Sequence, residues 1–286
     1  MSLINIIILA VVQGLAELLP VSSSAHVVVA EKLLGLDPSS PPMTLLLVML
    51  HTGTMFAVIV YFWRQWRDTY FSSLPAFKDS AIRVILATVI TGIVGEAVIK
   101  VIESTAFSNV PNAEIEDLFG RLEFIAPALA AAGVLILIAG VLERRGAAAA
   151  ATGDLSLKQA GLIGAVQGLC LPFRGFSRSG ATISAGMLAG VAKARAEAFS
   201  FALAVVLTPP VVAREALRLI KAERQHGGDL GPVALLSLVG AVVAFLAGLL
   251  ALKWLSRWLE GGRWYLFGIY CLAAAAAVTF LHHAGY

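Results

Sequence analysis

The residues of this chain that could do chemistry lie in two short stretches that share the same opening. Residues 12–26 read VQGLAELLPVSSSAH, and residues 166–180 read VQGLCLPFRGFSRSG. Their ionisable side chains are Glu17, His26, Arg174 and Arg178. Their hydroxyl groups belong to Ser22, Ser23, Ser24, Ser177 and Ser179, with Thr182 just beyond the second stretch. Acid, imidazole, guanidinium and hydroxyl groups are the parts that phosphoryl transfer uses to neutralise charge, to attack and to move a proton.

These parts favour a phosphate-binding site. Proline breaks place the N terminus of a predicted helix in each stretch, and the unpaired N–H groups and dipole of a helix N terminus attract anions. Arg178 adds a planar fork that fits phosphate oxygens. Glu17 alone would repel a phosphate, so its presence indicates either a bound divalent cation or a general base.

The composition places this site inside a membrane. Of the 286 residues, 59% are hydrophobic and 14% are charged, and the mean hydropathy is +0.86. A soluble domain is about half apolar and about a quarter charged, so this chain is too apolar to cover itself in water. The net charge of +3 is small and gives no support for nucleic-acid binding. We predict an all-α polytopic protein that has the lipid bilayer as its surroundings.

Proline breaks, capping hydroxyls and apolar runs divide the chain into ten predicted helices. They cover residues 3–19, 22–36, 43–63, 81–102, 122–143, 156–171, 178–190, 196–220, 232–255 and 264–283. The small-residue segment 144–157 is the best internal boundary, and on both sides of it two short helices precede three long ones. Tryptophans near the helix ends are expected to form belts at the membrane interfaces; they are Trp63, Trp66, Trp254, Trp258 and Trp264.

The matched order of helices predicts two repeats, at 1–145 and 155–286. Because the short helices are too brief to cross the bilayer comfortably, we expect re-entrant hairpins at 3–36 and 156–190, each followed by three transmembrane helices. Three crossings are an odd number, so the second repeat would enter from the opposite side of the membrane. Inverted repeats of this kind place a site between their broken helices, near the membrane centre.

The distribution of Lys and Arg predicts the orientation. More of the basic residues in loops and helix ends lie on the side opposite the N terminus, and a basic excess is typical of the cytoplasmic side. Both termini and the opening of the site are then expected on the periplasmic side of a bacterial inner membrane. The sequence leaves open whether the protein is a monomer or a homodimer.

The two stretches also resemble a known family. QGLAELLPVSSSAH is similar to the first signature of the integral-membrane undecaprenyl-diphosphate phosphatases, the bacitracin-resistance type, and GFSRSGATISAGM is similar to the second. HTGTMFAVIVYFWR at 51–64 and EAFSFALAV at 197–205 resemble further pieces of the same family. The resemblance implies hydrolysis of undecaprenyl diphosphate to undecaprenyl phosphate and inorganic phosphate, which recycles the lipid carrier of peptidoglycan synthesis. It also implies a divalent cation, Mg²⁺ or Ca²⁺.

The resemblance, together with the chemistry above, gives the residues their expected roles. Glu17, Ser23, His26 and Arg178 would be catalytic, and Glu17 would also bind the metal. The expected substrate-binding residues are Gln13, Ser22, Ser24, Arg174, Ser177, Ser179, Gly180 and Thr182. This chain departs from the family where Gln13 replaces the usual first acid and where Arg174 precedes Gly175 in place of a proline. The departures put metal dependence, rate and substrate range in question.

The bond-breaking step has two candidate routes. In the first, Ser23 at the start of helix 22–36 attacks, and His26, three residues later on the same helix face, takes its proton. In the second, water activated by Glu17 attacks. Structural roles are the alternative for each residue: a carboxylate at a helix end, a serine cap, a hydrogen-bonded histidine, and an arginine at the lipid headgroups.

Two other functions fit the same parts. A transporter or flippase for a lipid phosphate or a small anion would also use broken helices that point at an anion. A paralogue that binds the lipid with little activity would explain Gln13 and Arg174. The potential nucleophile and base beside Arg178 favour hydrolysis over transport, and the low-activity paralogue stays open.

Overall fold

A computed structural model describes residues 2–37, 40–106, 120–145, 155–226 and 231–286. These residues form ten α-helices and no β-strand, and each helix corresponds to one of the ten predicted from the sequence. The helices are α1 (Leu3–Leu18), α2 (Ser23–Leu33), α3 (Pro41–Tyr70), α4 (Leu74–Ala106), α5 (Leu122–Arg144), α6 (Leu157–Cys170), α7 (Arg178–Leu188), α8 (Lys193–His226), α9 (Gly231–Glu260) and α10 (Trp264–His283). The prediction of an all-α protein is confirmed.

Within the described ranges, six helices are long and apolar enough to cross a bilayer: α3, α4, α5, α8, α9 and α10. They follow the short helices in two groups of three, which confirms a multi-pass membrane protein. Helices α3 and α4 are longer than predicted, because the polar segment between their apolar parts is also mostly helical. Helix α3 has 30 residues, which makes it about 45 Å long, against about 30 Å for the hydrocarbon core of a bilayer.

Each pair of short helices is joined by a tight connection. Helix α1 ends before Pro20, and Ser22 then takes a positive φ of 68° and caps α2 by accepting a hydrogen bond from the Ala25 amide at 3.4 Å. In the second connection Gly175 has a φ of 107°, and Ser177 caps α7 by accepting from the Gly180 amide at 3.2 Å. Both α2 and α7 therefore begin where the sequence predicted a helix N terminus.

The two connections lie against each other. The Ser179 hydroxyl donates to the carbonyl of Leu19 at 3.2 Å, and the Gly175 amide donates to the Ser24 hydroxyl at 3.4 Å. A Cβ atom on Gly180 would lie 3.1 Å from the carbonyl oxygen of Pro20, so the glycine allows a close approach of the two backbones. These contacts hold the N termini of α2 and α7 next to each other.

The repeated VQGL opening has a packing function. Helix α1 packs against α9, and α6 packs against α4, so the first helix of each hairpin contacts a long helix of the other half. A Cβ on Gly14 would lie 2.7 Å from the carbonyl oxygen of Ala244, and one on Gly168 would lie 2.8 Å from that of Thr91. The glycine of each VQGL lets two backbones approach closely, which is how small residues act in membrane helix packing.

The expected belt of tryptophans is wrong for two of its members. Trp66 and Trp264 are buried, with 6% and 0% of their surface exposed. The indole of Trp66 donates to the carbonyl of Ala198 at 3.2 Å, and that of Trp264 donates to the hydroxyl of Ser184 at 3.0 Å. A buried indole with an internal acceptor does not need the membrane interface.

The opposite membrane orientation of the two halves stays a prediction, as do the repeat boundaries at 1–145 and 155–286. Most of the predicted boundary segment, residues 146–154, lies outside the described residues. The cross-packing of α1 on α9 and α6 on α4 is the arrangement that two related halves would produce.

Candidate active site

Glu17, in the last turn of α1, is the centre of a hydrogen-bonded cluster. Its Oε1 accepts from Nη2 of Arg178 at 2.7 Å. Its Oε2 accepts from the hydroxyl of Ser23 at 2.5 Å and from Nε2 of Gln13 at 3.1 Å. The Glu17 side chain is 15% exposed, so a partly buried carboxylate is held by one charged and two neutral donors. The structure brings together four residues that the sequence placed in the site.

Local helix geometry explains how these residues reach Glu17. Gln13 lies four residues before it, which is one turn of α1 and the same face. Ser23 is the first residue of α2 and Arg178 is the first residue of α7. Because the connections bring the starts of α2 and α7 together, a hydroxyl and a guanidinium from distant parts of the sequence meet one carboxylate.

Arg178 keeps hydrogen-bonding capacity after it has paired with Glu17. Its Nη1 is buried and has no hydrogen-bond partner among the described residues. An unsatisfied buried donor costs about 1–3 kcal/mol or more for a charged group, and such a donor at a helix N terminus is suited to an anion. The guanidinium is therefore in position to bind a phosphate oxygen.

His51 on α3 also belongs to the cluster, although it was not among the site residues predicted from the sequence. Its Nδ1 donates to the carbonyl of Leu47 at 2.8 Å, and its Nε2 lies 3.9 Å from Oε2 of Glu17. A cavity of about 10 Å³ is lined by residues that include Glu17, His51, Thr54 and Arg178, and it has room for about one water molecule. A histidine within an apolar run was the available signal, because intramembrane ionisable residues are costly and usually functional.

His26 is placed differently from the expected contact with Ser23. Its Nδ1–H donates to the carbonyl of Ser22 at 2.7 Å, so Nε2 is left to accept from the hydroxyl of Tyr270 at 2.7 Å. Side chains in a helix point back toward its N terminus, which brings the ring of residue 26 to the carbonyl four residues earlier. Tyr270, on α10, was not identified from the sequence, because nothing in its local pattern marks a partner 244 residues away.

The remaining hydroxyl groups mainly support the two connections. Ser22 and Ser177 cap helices, and Ser24 accepts from the Gly175 amide. Thr182 is fully buried, donates to the carbonyl of Arg178 at 2.7 Å and pairs with the hydroxyl of Ser200 at 2.6 Å. These contacts hold the backbone of Arg178 in place.

Arg174 lies in the connection between α6 and α7, and its charge acts on the carboxylate of Glu31 on α2. Glu31 is buried, with 1% of its surface exposed, and its Oε1 has no hydrogen-bond partner among the described residues. Glu31 was not among the site residues predicted from the sequence. Arg174 thus adds an electrostatic contact between the two hairpins.

A divalent cation fits this site only if substrate phosphates and water supply most of its ligands. Among the described residues no three His, Cys, Asp or Glu side chains are grouped to hold a metal ion. Glu17 and His51 supply two donor atoms 3.9 Å apart beside the cavity. Mg²⁺ is commonly bound through one or two carboxylates together with substrate phosphates and water, and Glu17 supplies one such carboxylate.

The chain matches known proteins over nearly its whole length. The family described as bacitracin resistance protein BacA matches residues 6–277. The chain is 58% identical over 285 residues to undecaprenyl-diphosphatase 2 of Acinetobacter baylyi, with 98% of each chain covered. It is 35% identical to undecaprenyl-diphosphatase 2 of Burkholderia orbicola, covering 96% of this chain and 95% of the relative. It is 32% identical to undecaprenyl-diphosphatase of Rhodopirellula baltica, with 98% of each chain covered. With its helices in the expected order and its two signatures meeting at Glu17, the chain belongs to the BacA family of bacitracin resistance proteins.

Proposed function

We propose that this protein is a membrane phosphatase that hydrolyses undecaprenyl diphosphate to undecaprenyl phosphate and inorganic phosphate, and so recycles the lipid carrier of cell-wall synthesis. The observation that carries the proposal is the cluster of Glu17, Ser23 and Arg178. In this cluster the carboxylate of Glu17 accepts one hydrogen bond from the hydroxyl of Ser23 and another from the guanidinium of Arg178. The names of the relatives agree with this reaction.

Substrate binding begins with Arg178. Its unpartnered Nη1 binds an oxygen of the terminal phosphate, and the amide groups at the start of α7 add to the attraction for the anion. Charge that builds up on the phosphoryl oxygens in the transition state strengthens this contact. Arg178 therefore contributes mainly to the chemical step and less to the affinity for the ground state.

Ser23 is the nucleophile in this proposal, and Glu17 is the base that receives its proton. The serine oxygen forms a bond to the terminal phosphorus as the bond from that phosphorus to the bridging oxygen breaks. The electron pair of the broken bond leaves with undecaprenyl phosphate, and the serine proton goes to Oε2 of Glu17. Water then attacks the phosphoserine, which releases inorganic phosphate and restores the serine.

Glu17 takes the role of base that the sequence had indicated for His26, because the Ser23 hydroxyl already donates to it at 2.5 Å. His26 instead positions the start of α2 through Ser22 and connects it to Tyr270 on α10. Direct attack by water activated by Glu17 is the competing route, and it would leave no phosphoserine.

We also propose that a divalent cation, Mg²⁺ or Ca²⁺, accompanies the diphosphate and contacts Glu17. When bound, it would neutralise charge on the phosphate oxygens. Gln13 donates a hydrogen bond to Glu17, which keeps the carboxylate oriented where a second acid would supply another ligand.

The cavity beside Glu17 is too small for a diphosphate in this conformation, at about 10 Å³. Binding therefore requires movement of the side chains that close it, among them His51 and Arg178. We propose that the site opens on the periplasmic side of the bacterial inner membrane, with both termini on that side.

The test is release of inorganic phosphate from a C55 prenyl diphosphate by the purified full chain in detergent, with and without a chelator. We expect phosphate release that falls when the chelator is added and returns with excess Mg²⁺ or Ca²⁺. Release that the chelator does not change would remove the cation from the proposal. If no phosphate is released, while the chain moves a labelled lipid phosphate between the leaflets of a vesicle, the protein is a transporter.

A further inference from the structure

A second cavity lies apart from the candidate active site. Its volume is about 210 Å³, and it shares no lining residue with the cavity beside Glu17. Residues from the end of α3, the start of α4 and the start of α8 line it, together with Leu155 just before α6. Its polar lining includes Thr69, Tyr70, Asp79, Ser80, Arg83 and Arg195. None of these residues has a role in the phosphatase reaction proposed above.

The charges in this cavity favour an anion. Two guanidinium groups and one carboxylate line it, and the carboxylate of Asp79 is already paired with Arg83. The Arg83 side chain is 16% exposed, and its Nε is buried with no hydrogen-bond partner among the described residues. The charges of Arg83 and Arg195 both act on the hydroxyl of Tyr70. A phosphate group would accept a hydrogen bond from the unpartnered Nε of Arg83, and the charge of Arg195 would add to the attraction.

The cavity lies where the transmembrane helices leave the apolar part of the bilayer. Arg83 directly precedes a run on α4 without charged residues, VILATVITGIVG, and Tyr70 is the last residue of α3. Arg195 is in the first turn of α8. Lipid headgroups occupy this depth, and the apolar side chains of Val84, Leu155 and Phe199 complete the lining. Basic pockets between transmembrane helices are known to bind anionic headgroups.

We propose that this cavity is a second phosphate site, separate from the catalytic cluster, in which Arg83 and Arg195 hold a phosphate group at the membrane surface. It lies on the face for which the basic residues predict the cytoplasm. Two sources offer a phosphate group at this depth: the headgroup of an anionic phospholipid and inorganic phosphate in solution. The hydroxyl groups of Tyr70, Thr69 and Ser80 supply further hydrogen bonds to its oxygens.

Native mass spectrometry of the full chain in detergent tests the proposal, with phosphatidylglycerol, phosphatidylcholine and inorganic phosphate titrated separately. We expect Arg83→Gln to weaken binding of the phosphate-bearing ligand by about tenfold, since it removes a charged hydrogen-bond donor. Arg67→Gln is the matched control, because Arg67 is on the same face, 61% exposed and paired with Asp68. We expect the control to bind as the unaltered chain does.

The ligands separate the two sources. Binding of phosphatidylglycerol that depends on Arg83 assigns the site to a phospholipid headgroup, and binding of inorganic phosphate alone that depends on Arg83 assigns it to the free anion. If neither ligand binds in a way that depends on Arg83, the proposal is wrong.

A second variant covers the case in which Arg83→Gln does not fold. Ala76→Trp keeps both arginines and places a large side chain in the cavity, which Ala76 lines. Thermal unfolding without added lipid establishes that each variant is folded. A folded Ala76→Trp variant that binds both ligands as tightly as the unaltered chain would overturn the proposal even without data from Arg83→Gln.

Discussion

The carboxylate of Glu17 accepts three hydrogen bonds, from Arg178, Ser23 and Gln13. Each of these donors has a different role in the proposed reaction. Arg178 neutralises its charge, so that an anion can approach. Ser23 presents the proton that a base would take. Gln13 orients the carboxylate without adding charge. Substitution of each donor therefore separates charge, nucleophile and orientation.

Arg178→Lys keeps the positive charge and removes the planar fork. A lysine can pair with Glu17 or with a phosphate oxygen, but it does not present two parallel donors. We expect phosphate release to fall by about a hundredfold, as for loss of a preorganised donor to transition-state charge, with a smaller change in KM. Steady-state kinetics in detergent measure both values.

Arg121→Lys is the control for that experiment, because Arg121 is 54% exposed and paired with Glu123 at the start of α5. It should retain full activity. If Arg178→Lys matched it, Arg178 would have no place in the chemistry.

Ser23→Ala distinguishes the two routes of attack. If Ser23 is the nucleophile, activity should fall by about a thousandfold or more, and no labelled enzyme should form from a diphosphate that carries a label on its terminal phosphate. The unaltered chain, stopped rapidly with acid, should give a labelled peptide that contains Ser23. Trapping and peptide mapping make the measurement.

Ser24→Ala is the matched control for Ser23. Ser24 is the next hydroxyl, and its hydrogen bonds are with the Gly175 amide and the Ser22 hydroxyl. It should lose much less activity and still form the labelled intermediate. Strong activity of Ser23→Ala would instead point to water activated by Glu17.

At the level of helices, most of the architecture could be predicted from the sequence. Pro20 cannot continue a helix, and the serines after it cap the next one. Local sequence preferences are therefore enough to predict the first hairpin. The partners of a helix are not local in the same way. His51 and Tyr270 reach Glu17 and His26 only through the packing of α3 and α10, and no pattern around them specifies that packing.

The VQGL glycines are a case in which a local pattern and long-range packing coincide. Gly14→Ala would place a Cβ 2.6 Å from the Cβ of Ala247 and 2.7 Å from the carbonyl oxygen of Ala244. Overpacking of this kind costs about 1–3 kcal/mol. We expect a lower Tm in detergent, measured by thermal unfolding, together with lower activity because α1 carries Glu17.

Gly92→Ala provides the comparison within α4, since a Cβ there meets no atom within 4 Å. Alanine is a better helix former than glycine by about 1 kcal/mol. The Tm of Gly92→Ala should therefore stay the same or rise. If Gly14→Ala and Gly92→Ala lost the same stability, the effect of Gly14→Ala would not come from the close packing of α1 on α9.

At the scale of the whole molecule, the order of the helices predicts that the two halves have opposite orientations in the membrane. Three crossings separate the first hairpin from the second, so α6 and α7 should enter from the side opposite α1 and α2. The site would then lie within the membrane, between two hairpins that come from opposite faces. The contact of Ser179 with Leu19 and that of Gly175 with Ser24 require only that the hairpin tips meet. Their opposite origins need a separate measurement.

Labelling of single cysteines in intact cells supplies that measurement. Asp37 follows the first hairpin and Ala194 follows the second, and both are exposed. A maleimide that cannot cross membranes should label Asp37→Cys in intact cells and Ala194→Cys only after permeabilisation, because the charge distribution predicts a periplasmic N terminus. Tyr286→Cys, at the exposed C terminus, should behave like Asp37→Cys. The native Cys170 and Cys271 are buried, which keeps the background low.

Labelling of Asp37→Cys and Ala194→Cys from the same side would rule out inverted halves. The reverse pattern, with Ala194→Cys accessible first, would keep the inversion and turn the protein over, which would place the opening of the phosphatase site in the cytoplasm.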